Sequence, residues 1–139
     1  MRSTIQGLNH GMAAGAIAAL IQSLIIWAVS QVGLFLLIGV PLIFPLTTEW
    51  IYQRVVWGGL WGLCFMLPIL KNSPHWKRGL VIGLLPAAAS ALWFNPILKG
   101  TGFFGMELGA MMPVIIIAFN LFWGYLAGVW FGQSMAADD

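Results

Sequence analysis

Charge is what this sequence has least of. Of 139 residues only 7% are charged, six basic and four acidic, for a net charge of +2. A soluble domain carries roughly a quarter of its residues as ions, so a water-soluble fold of this length is excluded. The small net charge also argues against nucleic acid as a partner. Cysteine is nearly absent. Cys64 stands alone, which excludes an internal disulfide and any multi-cysteine metal site; its apolar mid-helix surroundings make it an inert packing residue. His10 and His75 have no supporting carboxylate on their flank, so no metal or haem site is expected. HExxH, GxSxG, a phosphate loop and a pair of acids within one helix are all missing. The expectation is a non-enzymatic protein with no cofactor and no metal.

What is present is apolar. Hydrophobic residues make up 60% of the chain, with 17 glycines and 8 tryptophans, and the mean hydropathy is +0.92. The expected class is all-α: one polytopic membrane domain over residues 1–139, a four-transmembrane-helix bundle whose first partner is the lipid bilayer. A helix needs about 20 mostly apolar residues to cross the hydrocarbon. Segments 8–30, 49–70, 78–97 and about 109–132 qualify. Residues 34–46 are apolar but too short, and Pro41 and Pro45 interrupt them. They read as a re-entrant or interfacial segment whose backbone must be covered.

Basic residues set the orientation. Four spans put Arg2, Lys71, Lys77 and Arg78 on one flank and Lys99, with Arg54 just inside a span, on the other. Positive-inside counting then puts both termini and the loop from Lys71 to Arg78 in the cytoplasm. A fifth span through 34–46 would separate Arg2 from the basic loop. Trp76 and Trp130 fall at the cytoplasmic level, and Trp27, Trp50 and Trp93 at the outer one, as two interfacial belts. The loop from Lys71 to Arg78 faces anionic headgroups, ordinary for a cytoplasmic loop. A cleaved signal ending near Ala28-Val29-Ser30 is the competing reading of the N-terminus; the apolar stretch is long for that.

Small residues recur every fourth position in each span. They are Gly7, Gly11, Gly15 and Ala19; Gly58 and Gly62; Gly79, Gly83, Ala87 and Ala91; and Gly124, Gly128 and Gly132. Such positions share a helix face and let helices pack closely in lipid. Polar residues extend the stripes: Arg54, Asn120 and Ser23, with Gln22 and Ser90 adjoining. Gln22, Ser90 and Asn120 fall at about the same depth by helical rise. Two readings follow, interhelical glue or a polar waist for a small ligand or ion. Glue is favoured because no ionised group is expected at that depth.

Arg54 sits about one turn inside the outer end of the second span. Glu107 precedes the last span, outside the hydrocarbon. The structural reading pairs Arg54 with Glu107; the functional reading makes Arg54 the cation of an anion site near the outer surface. In the stretch GTGFFGMELGAMMP, residues 100–113, GTGFFG (100–105) reads as the outer hairpin. Phe103 and Phe104 dip into the interface, Glu107 lies at a helix N-terminus, and Pro113 occupies the first turn.

The runs VVWGGLWGLCFMLPIL, HWKRGLVIGLLP, NPILKGTGFFGMELG and AFNLFWGYLAGVWFG resemble a broad group of uncharacterised bacterial four-span inner-membrane proteins, YagU-like proteins more distantly. The resemblance rests on Trp57-Gly58, on Arg78-Gly79, on Pro96 with Gly100, Gly102 and Phe103, and on Gly124, Gly128 and Gly132. It covers roughly residues 55–132. It implies topology and no activity. The group often has a histidine where this chain has Asn120, which weakens any proton or metal role there. A small multidrug-resistance transporter would need an acid in the first span, and residues 8–30 hold none.

The first functional expectation is a structural or partner subunit, with a homo-oligomer or a membrane-protein partner joined through spare glycine faces. The alternative is a small oligomeric transporter or channel using Gln22, Ser90 and Asn120, with Arg54. A third is a site for an apolar ligand such as a quinone or lipid among Trp57, Trp61 and Trp123.

Overall fold

A computed structural model describes residues 3–138; Arg2, counted above for orientation, lies outside the described residues. The elements are α1 (Thr4–Gln31), a single turn α2 (Leu34–Leu37), α3 (Thr48–Gly62) running into a 3-10 turn (Leu63–Met66), α4 (His75–Ala89) running into a π segment (Ser90–Leu98), a 3-10 segment (Phe103–Leu108) and α5 (Met112–Ala137). Among the described residues there is no strand. Among the described residues three helices are long and apolar enough to cross a membrane: Thr4–Gln31, His75–Leu98 and Met112–Ala137.

Local chemistry sets the boundaries. Ser3 and Gln6 form a reciprocal capping box at the start of α1, satisfying N–H groups that a helix start leaves open. The α-helix expected over 49–70 stops at Gly62. Proline disfavours helical backbone in the residue before it, and Leu67, just before Pro68, is extended with ψ 144°. Arg78 collects the carbonyls this break leaves open. Only 7% exposed, it donates to Phe65 O (2.6 Å), Ile69 O (3.0 Å) and Leu67 O (3.2 Å), and to His75 Nδ1 (3.1 Å). It is therefore turned inward from the basic loop. Pro96 has no N–H and would meet the carbonyl one turn back in an α register. The chain widens instead, and the Lys99 N–H reaches Phe94 O at 2.8 Å in an i→i−5 bond.

Packing follows the small-residue stripes. Gly11 and Gly15 of α1 meet Gly62 and Gly58 of α3, and Gly79 and Gly83 of α4 meet Gly124 and the Asn120 backbone of α5. At Gly79 a Cβ would overlap the carbonyl oxygen of Gly124, so the helices touch backbone to backbone. α1 also packs against α5, giving the order α3–α1–α5–α4. These glycine contacts between helices cluster toward the end holding the N-termini of α1 and α4. Toward the other end larger side chains separate the helices.

The two helix pairs repeat one pattern. Gly11, Gly15 and Ala19 of α1 correspond to Gly79, Gly83 and Ala87 of α4, and Ala14 and Ile82, also equivalent, are both fully buried. Trp57, Gly58, Gly62 and Phe65 correspond to Trp123, Gly124, Gly128 and Phe131. Phe65 and Phe131 stack on one another at 4.9 Å.

The segment 34–46 holds only the single turn α2. After α2 it runs irregularly to Thr47 and lies over the splayed end, with Phe35 and Val40 buried against Ile26, Ala87, Met112 and Ile116. Side chains of α1 satisfy its backbone: Gln31 donates to Phe44 O (2.9 Å), and Phe44 N–H donates to Ser30 Oγ (3.1 Å).

Candidate functional site

Where the helices splay they enclose a cavity of about 660 Å³, within the roughly 300–1,000 Å³ typical of small-molecule sites. Four of the five sequence-derived candidates, Gln22, Arg54, Ser90 and Asn120, line it. They are two pairs of repeat-equivalent positions: Gln22 with Ser90 on the first helix of each pair, Arg54 with Asn120 on the second. The repeat thus places a polar level just beyond the glycine contacts. Trp57, Trp61 and Trp123 line the same space.

Arg54 is the best-held group. Its Nε–H donates to Ser23 Oγ at 2.7 Å and its Nη2 to Gln22 Oε1 at 2.9 Å. The guanidinium lies over the Trp50 ring at 5.2 Å. Gln22 is oriented in turn by donating to Phe119 O of α5 (2.6 Å), and Ser23 by donating to Ala19 O (2.6 Å). Nη1 and the second Nη2 proton have no acceptor among the described residues. The expected Arg54–Glu107 ion pair is not formed. Glu107 is exposed and outside the cavity, with its side chain against Gly102. Left-handed backbone at Phe104 and Gly105, then Gly109, separates it from α5. Because α5 starts only at Met112, Glu107 is not at that helix's N-terminus either.

Gln22, Ser90 and Asn120 share the cavity without bonding one another. Asn120 donates to Ile116 O of its own helix at 2.8 Å. Ser90 Oγ accepts from Asn95 Nδ2 at 3.1 Å. Only Gln22 joins helices, so interhelical glue accounts for one residue of the three.

Two lining residues carry no signal in the small-residue spacing. Asn95, 2% exposed, donates to Ser90 O (2.7 Å) and accepts from Thr101 Oγ1 at Oδ1 (3.0 Å), tying the π segment to the following loop. Lys99 stands at the rim. Partial burial and then the Arg54 charge hold its ammonium below the usual lysine pKa range. The lining therefore presents two cations and several amides and hydroxyls, and no carboxylate, cysteine or histidine among the described residues. Chemically it accepts an anionic or acceptor-rich group against aromatic walls.

No family model matches the chain, nor does any curated protein or solved structure.

Proposed function

We propose that this chain is a non-enzymatic, four-span membrane protein that binds a small ligand with a negatively charged head, as a carrier or receptor. The observation that carries the reading is Arg54. It is fixed by Gln22 and Ser23 on a cavity wall, it has donors to spare, and among the described residues no carboxylate lines the cavity. An ionisable residue inside a membrane segment marks a functional site by default, and a guanidinium matches carboxylate or phosphate geometry. This develops the transporter expectation rather than that of a purely structural subunit.

Geometry supports the fourth span. α3 and its 3-10 turn, Thr48–Met66, together extend about 30 Å by helical rise, the thickness of the hydrocarbon core. Outward-facing Leu24, Leu92 and Val114 are exposed, as lipid contact requires. The resemblance to YagU-like inner-membrane proteins supports the same topology, with both termini cytoplasmic.

The test is binding of hexyl phosphate to the purified protein in a neutral maltoside detergent, read by calorimetry. Saturable binding at least tenfold weaker in Arg54→Gln is expected, since hydrogen bonds to charged groups contribute about 1.5–3 kcal/mol. Equal affinity in the two proteins would remove the reading.

A further inference from the structure

The repeat is broken at one seam, and the break bears on how a ligand reaches the cavity. Between α1 and α5 the seam is closed. Trp123 is 3% exposed and its Nε1–H donates to Gly15 O at 3.0 Å. The equivalent seam lies between α3 and α4, and the equivalent residue is Trp57. Trp57 is 49% exposed and makes no such bond. It meets Phe94 of the π segment edge-on at 5.7 Å. Lower down, the 3-10 turn Leu63–Met66 touches α4, so the seam is pinned by backbone contact at the glycine end and spanned beside the cavity by the Trp57–Phe94 ring contact. Both Trp57 and Phe94 line the cavity, and Trp57 also faces outward. In the proposed orientation, outward at this level means lipid.

Resting on the binding function proposed above, we infer that the ligand is a single-chain anionic amphiphile taken up from the bilayer through the α3/α4 seam. Its head lies at Arg54 and Lys99, and its chain leaves along the exposed face of the Trp57–Phe94 pair. Charge complementarity selects the head: among the described residues two cations line the cavity and no carboxylate does. Shape selects the chain. The remaining wall is largely aromatic and aliphatic, and an ion soluble in water would leave it unused. The π segment Ser90–Leu98, which contains Pro96, carries Phe94 against Trp57 at this seam.

The test uses 9,10-dibromostearate, whose bromines quench tryptophan at contact, with the intact protein in neutral detergent. Wild type is expected to show saturable quenching. Trp57→Phe should remove most of it, Trp123→Phe little, and Arg54→Gln should shift the midpoint at least tenfold upward. Dodecyl phosphate should compete, and dodecanol and inorganic phosphate should not. Quenching that is linear in dibromostearate and unchanged in Trp57→Phe and Arg54→Gln would overturn the inference. If inorganic phosphate competes as well as dodecyl phosphate, the ligand is a free anion and the amphiphile is wrong, while the anion site stands. If hexyl phosphate also fails to bind in an Arg54-dependent way, the binding function falls with it. Folding of each variant is checked by its unchanged elution and thermal transition.

Discussion

Arg54 and Lys99 are unlike charges in how they are held. The guanidinium is bonded on two edges and stacked on Trp50; the Lys99 ammonium is a rim charge on a flexible stem. Partial burial, and then repulsion from Arg54, lowers the Lys99 pKa. The sign of the pH effect follows. Protonated Lys99 attracts an anion and neutral Lys99 does not, so hexyl phosphate affinity should fall as pH rises through the lowered pKa. That fall begins below the ordinary lysine value of about 10.4. For the empty protein the sign is opposite: the folded state binds fewer protons than the unfolded between the two pKa values, so stability should rise with pH across that window. Calorimetric titration from pH 8 upward checks the first point, and Lys99→Met should abolish the alkaline fall.

At the level of elements the design is two glycine-packed helix pairs that separate toward one end. Their contact is intolerant of side chains where backbones meet. Gly79→Ala drives a Cβ into the Gly124 carbonyl and should cost about 1–3 kcal/mol, as overpacking does. Gly59→Ala meets nothing nearer than Met12 O at 3.5 Å and should be close to neutral. Thermal unfolding in detergent compares them. Equal effects would mean that the stripes do not set the packing. These contacts were legible in the sequence because a small residue every fourth position has one physical use in an apolar helix. Gln22, Ser90, Asn120 and Arg54 were legible for a related reason: polar side chains in such helices turn away from lipid. Asn95 and Lys99 were not, because the spacing presumes an α register and Pro96 changes it. The pairing of Arg54 with Glu107 failed on the loop 100–111. Its positive-φ residues Gly100, Gly102, Phe104, Gly105 and Gly109 carry Glu107 away from the cavity, and loop paths of that kind leave no periodic trace. The repeat lies in the residue string itself, in Trp57-Gly58 and Trp123-Gly124, yet its meaning depends on which helices pair.

For the whole molecule, topology and ligand are the remaining scales of test. If α3 and its 3-10 turn cross the membrane, cysteines placed at Thr47 and Asn72 in a Cys64→Ala background should react from opposite sides of sealed vesicles. Reaction of both from one side would leave only the three crossings that length and apolarity support in α1, α4 with its π segment, and α5.

The binding claim itself is best measured as a ratio: the affinity of hexyl phosphate over that of hexanol, in wild type and in Arg54→Gln. The chain is the same in both ligands, so the ratio isolates the head. A ratio of ten or more in wild type, collapsing toward one in Arg54→Gln, is the expected result. A ratio that the substitution leaves unchanged would contradict an anion site built on Arg54.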